Sequence, residues 1–272
     1  MLDYGKHSIL GIGVNAIDYE SVVEKIIANA KAHQPMAVTA LAVHGVMTGV
    51  FDREHHYRLN QFDLVCPDGQ PVRWALNALH TKRFTGAKLS DRVYGPELTL
   101  RLCQAAAKEE VPIYLFGATE EMLSSFAEKL GERFEGLRIV GKRASAFRRI
   151  TPEERDELAA EIIASGAKMC FVGLGCPRQE IFAYEMREHL PMPLIAVGAA
   201  FAFHAGMLEQ APPWMQNAGL EWLFRLTREP GRLWRRYFYL NPTYVTLLLL
   251  QKFGLYQKKT DAGTPPKDEL FG

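Results

Sequence analysis

Cysteine is scarce and unpatterned in this chain of 272 residues: there are four, none in a C-x-x-C spacing. That excludes a disulfide scaffold and a zinc-ribbon signature. Cys66, Cys103, Cys170 and Cys176 stand in or beside apolar runs and read as unbridged thiols of a reducing compartment. An excess of charge of one sign is missing as well. Lys and Arg total 32 against 31 Asp and Glu, so a net charge of +1 offers no general affinity for nucleic acid. No apolar run reaches the ~18 residues of a membrane span. The N-terminal MLDYGKHSILGIGVNAID has no basic stretch followed by an apolar one, so no secretory leader is expected. There is no D-x-D, the usual carboxylate clamp for a metal-bound diphosphate. No His, Cys and Glu stand at metal-ligand spacing along the chain, and the adjacent His55-His56 is expected at the surface, so no metal site is expected.

What is present is the material of a buried sheet. Hydrophobic residues make up 48% and charged ones 23%, the balance of a globular protein with a sizeable core rather than a disordered chain. Short apolar runs ending in glycine or turn residues predict strands at 36–43, 63–66, 111–117, 137–140, 168–174 and 193–198. Helical periodicity occupies 19–32, 98–109, 119–132 and 152–165. Thr151-Pro152-Glu153-Glu154 reads as a helix start, with a Thr cap, Pro in the first turn and a Glu reaching back. Fully apolar strands alternating with helices predict an α/β fold with a largely parallel sheet buried on both faces. The expected division is an α/β core over 1–206, a helical appendage over 207–257 and a mobile polar tail over 258–272.

The near-zero net charge hides a strongly basic arm. From Trp222 to Lys259 eight basic residues meet one acid, Glu229, a local charge of +7 that leaves −6 for the rest. Arg225, Arg228, Arg232, Arg235 and Arg236 recur at helical spacing among Trp222, Trp234, Tyr237, Phe238 and Tyr239. Pro230-Gly231 predicts a two-part helix. A basic face beside aromatics suits a membrane interface; the alternative is a helix docked on its own domain or on a second subunit.

In a parallel sheet, ligands bind where strands give way to loops at their carboxyl ends. The strand at 63–66 runs into Asp68-Gly69, a carboxylate suited to act as a general base or to cap the next helix. The strand at 111–117 ends in Gly117-Ala118-Thr119, a small-residue turn into a helix. The strand at 168–174 delivers Gly173-Leu174-Gly175-Cys176-Pro177-Arg178-Gln179-Glu180, where backbone and polar side chains could meet a diphosphate or ribose. Arg178 stands where a dinucleotide fingerprint wants a third small residue, and Gly11-Ile12-Gly13 lies too close to the N-terminus, so an NAD site is disfavoured. The strand at 193–198 leads into Gly198-Ala199-Ala200, small residues that permit a close approach, and His204 reads as a core or loop residue.

Taken in order, Asp68-Gly69, Asp91-Arg92-Val93-x-Gly95, Leu115-Phe116-Gly117, the Gly173–Glu180 segment, Gly219-Leu220-Glu221-Trp222 and Glu229-Pro230-x-Arg232-x-x-Arg235-Arg236-Tyr237 resemble the WecG/TagA/CpsF glycosyltransferases over roughly residues 8–250. The resemblance implies a GT-E fold, a Rossmann-like α/β domain with a C-terminal appendage. It implies an inverting, metal-independent transfer from a UDP-sugar to a polyprenyl-diphosphate-linked acceptor in bacterial surface-polysaccharide synthesis. The enzyme would be cytoplasmic and peripherally bound to the inner face of the membrane, through an anionic lipid surface met by the appendage. Self-association is left open, and a nucleic-acid partner is not expected. By this resemblance Asp68 is the catalytic base. Thr39, Arg92, Gln179 and the appendage arginines Arg225, Arg232 and Arg235 or Arg236 are its substrate contacts, and the strand-end residues Gly117, Gly173, Gly175, Arg178 and Glu180 are expected to bind substrate with them. Leu41, Ala202 and Glu97 depart from residues frequent in the family, so the donor sugar cannot be copied from other members. Leu41 and Ala202 also keep open a non-catalytic UDP-sugar-binding or assembly role.

Overall fold

In chain order the elements are β1 (Asp3–Ile9), β2 (Ile12–Ile17), α1 (Tyr19–Lys31), β3 (Met36–Leu41), α2 (Val43–Phe51), α3 (Arg53–Gln61), β4 (Leu64–Pro67), α4 (Gln70–His80), α5 (Gly95–Lys108), β5 (Ile113–Gly117), α6 (Glu120–Arg133) and β6 (Ile139–Arg143). There follow α7 (Pro152–Ala164), β7 (Met169–Gly173), α8 (Arg178–Met186), β8 (Pro193–Ala196), α9 (Ala200–His204), α10 (Pro213–Asn217), α11 (Glu221–Arg228) and α12 (Pro230–Lys252). The computed structural model describes residues 1–84, 88–267 and 271–272, except for the side chain of Arg236.

All six expected strands form, and they make one parallel sheet in the order β4-β3-β8-β7-β5-β6. Their apolar runs are buried because helices cover both faces. One core gathers Leu41, Val65, Phe116 and Val172, and the other gathers Val38, Cys66, Leu115, Phe171 and Ile195. Successive residues of a strand point to opposite faces, which is why β-branched and aromatic residues fill both sides without alternation. The Thr151 cap is as read: its side chain accepts from the Glu154 N–H while Glu154 accepts from the Thr151 N–H.

The β1–β2 hairpin had no counterpart in the sequence reading. Leu10 and Gly11 both take positive φ, 53° and 89°, at its two-residue turn, so Gly11 serves a turn rather than a nucleotide. The hairpin packs against the sheet beside β4, where the Asn15 side chain accepts from the Val65 N–H at 2.8 Å. A second correction concerns His55 and His56. Both were expected at the surface, yet they are 1% and 0% exposed, packed beneath α2, α8 and the returning tail.

From Pro213 to Lys252 the chain is largely helical, and Pro230 breaks α11 from α12 as the sequence suggests. The arm docks through Tyr244, whose hydroxyl reaches the Pro71 carbonyl at 3.2 Å, and through Gln251, which bonds Leu10 N–H and Ser8 O. Its outward side leaves Trp234, Phe238, Tyr239, Leu249 and Phe253 exposed. Among the described residues no helix is long and apolar enough to cross a membrane. Beyond Lys258 the tail contacts the core, with the His56 ring at the Lys259 carbonyl and Arg58 donating to the Lys267 carbonyl.

Candidate active site at the carboxyl edge of the sheet

Because the six strands of the main sheet run the same way, their carboxyl ends bring residues from distant parts of the chain to one edge. There a cleft of about 1000 Å³ opens between α4, the Arg92 loop and the arm. Asp68, Arg92, Glu221, Arg225 and His44 supply its polar lining, and Trp74, Trp222, Leu226, Trp234, Phe238 and Val245 much of its apolar wall.

Asp68 leaves the end of β4 and is half-buried, with one carboxylate oxygen accepting the Gly95 N–H at 2.6 Å. A Cβ on Gly95 would stand a tight 3.3 Å from the Ala40 side chain, while its distance from that oxygen would be an ordinary 3.6 Å. Burial pushes the Asp68 pKa up to about 6; Arg92 pulls it back, Glu221 adds to the rise, and the Gly95 N–H and Arg225 oppose it. A carboxylate tuned in this way is ionised at neutral pH and keeps more basicity than a solvated one, as a general base requires.

Arg92 is 6% exposed, and its guanidinium stacks 4.0 Å over the Tyr94 ring. It donates to Glu221 at 2.8 Å and to Gln216 at 3.0 Å, while the Tyr94 hydroxyl donates to the other Glu221 oxygen at 2.8 Å. Burial works against its charge, but Glu221 and Asp68 overcome this and hold its pKa above the usual arginine value. Arg225 is half-buried on the same wall, with its Nε lacking a hydrogen-bond partner among the described residues. Glu221, Tyr94 and Gln216 received no role from sequence alone. The usable signal was Glu221, an acid within the Gly219–Trp222 segment at the head of the basic arm.

A second group lies inside the sheet edge and does not line the cleft. Glu180 accepts from the Thr39 hydroxyl at 3.0 Å and from the Gln179 amide at 2.9 Å, and Gln179 in turn accepts the Gly175 N–H at 3.1 Å. Gly198, with φ of 47°, makes room for Gln179: a Cβ there would stand 2.6 Å from the amide oxygen. Gly117 and Gly173 are held by packing. A Cβ on Gly117 would meet the Gly173 backbone at 2.8 Å, and one on Gly173 would meet the Phe201 ring at 2.6 Å.

The remaining candidates are spread out. Arg178 is exposed at the start of α8, 5.8 Å from the Phe271 ring. Arg232 pairs with Glu229 on the surface, and Arg235 lies 5.4 Å over Trp234. Neither is part of the cleft lining, and the Arg236 side chain is outside the described residues. His204 bonds the Pro96 carbonyl at 2.8 Å and stacks near Phe126, a packed position.

One carboxylate with raised basicity, two cleft arginines and an aromatic wall thus converge where an α/β sheet binds its ligands. The chain matches the model of the "Glycosyl transferase WecG/TagA/CpsF family" over residues 7–258. It belongs to that family. As a WecG/TagA/CpsF member it belongs to a family of glycosyltransferases. No close carboxylate pair of the D-x-D kind lines this cleft among the described residues; its charged groups are Asp68, Glu221 and the two arginines.

Proposed function

We propose that the protein transfers a sugar from a UDP-sugar to a polyprenyl-diphosphate-linked acceptor, with inversion and without a metal ion in the transfer step, in the synthesis of a bacterial surface polysaccharide. The observation that carries this reading is Asp68: a carboxylate with its pKa raised to about 6, directed at a large cleft and flanked by Arg92 and Arg225.

In the mechanism, Asp68 takes the proton of the acceptor hydroxyl as that oxygen attacks the anomeric carbon from the face opposite UDP. The carbon–oxygen bond to the diphosphate breaks, and UDP leaves with the electron pair. Arg92 and Arg225 answer the developing negative charge; a planar guanidinium suits phosphate because it donates two parallel hydrogen bonds. Glu221 holds Arg92 in place through one nitrogen and so fixes the direction of the fork. Thr39, Gln179 and Glu180 keep the neighbouring turn in shape for the donor.

The arm supports a lipid-linked acceptor. Its outward residues combine exposed aromatics with Arg228, Arg232 and Arg235, and each basic residue near an anionic leaflet contributes ~1 kcal/mol. The protein is then a peripheral enzyme of the cytoplasmic membrane face. The apolar wall of the cleft, continuous with the arm, gives the prenyl end of the acceptor a place to lie.

The deciding experiment is a mass-spectrometric panel of UDP-sugars against polyprenyl-diphosphate mono- and oligosaccharides, run with and without a chelator. UDP release coupled to one added sugar, unaffected by the chelator, is the expected outcome. Binding of UDP-sugars with no transfer to any acceptor would replace the enzyme by a binding protein. Association with anionic vesicles should fall as salt rises and should weaken ~10-fold or more in Arg232→Glu/Arg235→Glu; unchanged pelleting would remove the arm from membrane contact.

A further inference from the structure

Behind the sheet edge, three side chains that are remote in sequence come together. His55 of α3, Cys176 of the turn after β7 and Glu180 of α8 present one ligand atom each, all within 4.8 Å of one another. None of them lines the cleft. His55 and Glu180 are each 1% exposed, and Cys176 is half-buried. Burial of this kind is normally matched by hydrogen bonds. Here neither ring nitrogen of His55 has a hydrogen-bond partner among the described residues, and neither has the second oxygen of Glu180.

The backbone around them is already fixed. The His55 N–H is held by the Asp52 cap at 3.0 Å, and Arg58 of α3 faces Glu185 of α8 at 3.6 Å. The other Glu180 oxygen is oriented by Thr39 and Gln179. Two helices and a turn therefore hold a nitrogen, a sulfur and an oxygen donor around one buried point. We infer that His55, Cys176 and Glu180 form a binding site for a single divalent ion of the zinc class, separate from the transfer chemistry.

The donor set selects that class. Imidazole, thiolate and carboxylate are the ligands of zinc and its borderline neighbours, whereas magnesium and calcium take oxygen alone. Charge also balances: a thiolate and a carboxylate offset the two positive charges of the ion, which a buried site demands. Binding releases the Cys176 proton to solvent, and three protein ligands leave a fourth position for water. Ligands about 2.0–2.3 Å from a tetrahedral ion sit about 3.3–3.8 Å apart, so from separations of up to 4.8 Å the cluster contracts by about 1.5 Å at most on loading. The ion ties α3 to the turn after β7 and to the start of α8, which carries Gln179 and Glu180.

The test uses the full chain, stripped with a chelator and titrated with Co²⁺ and Zn²⁺. One equivalent should bind, Co²⁺ loading should give a thiolate-to-metal charge-transfer absorption, and Zn²⁺ should raise the melting temperature. Cys176→Ser should abolish the absorption. His55→Leu should lower affinity at least ~100-fold, beyond the 10–100-fold typical of losing a group that only orients a ligand. His55→Leu strands no hydrogen-bond partner and should fold like the parent by circular dichroism, and Cys176→Ser is nearly isosteric, so either variant alone can decide. A parent chain with neither absorption nor melting shift overturns the site. So does parental affinity in either variant, which would put the ion elsewhere.

Discussion

Asp68 and Glu180 leave the same edge of one sheet, and burial raises the pKa of each, yet their surroundings set them to different work. Asp68 has an open side: the cleft lies before it, Arg92 and Arg225 moderate its charge, and one backbone N–H is its hydrogen-bond donor. Glu180 is closed in, with the Thr39 hydroxyl, the Gln179 amide, the Cys176 thiol and its own backbone N–H as donors and no arginine among the groups that set its pKa. A raised pKa alone therefore does not mark a catalytic carboxylate. What distinguishes Asp68 is the combination of basicity, space for a substrate and cations placed where a leaving diphosphate would need them.

The largest effect should come from removing the base. Asp68→Asn keeps the shape and the acceptor for the Gly95 N–H, so UDP binding and the melting curve should stay close to the parent while turnover falls by ~10² or more. Turnover within tenfold of the parent would erase the contrast between the two carboxylates.

A smaller and sharper effect concerns pH. The base works deprotonated, so kcat/KM should rise with pH through about 6, the pKa of Asp68. Glu221 raises that pKa and also occupies Arg92. In Glu221→Gln the repulsion goes and Arg92 turns more of its field on Asp68, so the rising limb should shift to lower pH while the maximum rate drops ~10-fold. A limb that stays in place would mean that another group titrates there.

The contrast also explains what was readable beforehand. Five of the six parallel strands were legible because they are apolar on both faces, a pattern that few other environments produce; the edge strand β6, which ends in exposed Lys142 and Arg143, was legible only through its short apolar start. Asp68 and Arg92, singled out by position and resemblance, line the cleft, whereas Thr39 and Gln179, singled out with them, lie in the internal network around Glu180. Glu221 was not singled out, because its partner Arg92 lies 129 residues earlier in the chain and nothing local ties an acid in a basic arm to it. The β1–β2 hairpin escaped because Asp3–Ile9 mixes polar and apolar residues and its turn is Leu10-Gly11, without the Asn or Asp that usually signals one. His55 and His56 were misplaced for a related reason. Arg53–Gln61 is polar by composition, and only the tertiary contacts with α2, α8 and the tail bury its inner face.

The smallest effect belongs to the closed-in carboxylate, and its sign follows from linkage. The folded-state pKa of Glu180 lies above the ordinary glutamate value, so the folded protein binds this proton more tightly than the unfolded chain does. The stability associated with the proton is complete below the unfolded pKa and is lost as pH rises through the folded one. Glu180→Gln keeps an oxygen for Thr39 and Gln179 but cannot ionise, so it should escape that loss. In chelator-containing buffer, its melting temperature relative to the parent should therefore be higher at pH 8 than at pH 4. The gap should close toward acid, where both side chains are neutral. A gap that is constant with pH would show that Glu180 does not change its protonation on unfolding. The internal carboxylate would then differ from Asp68 in packing alone rather than in how each holds its proton.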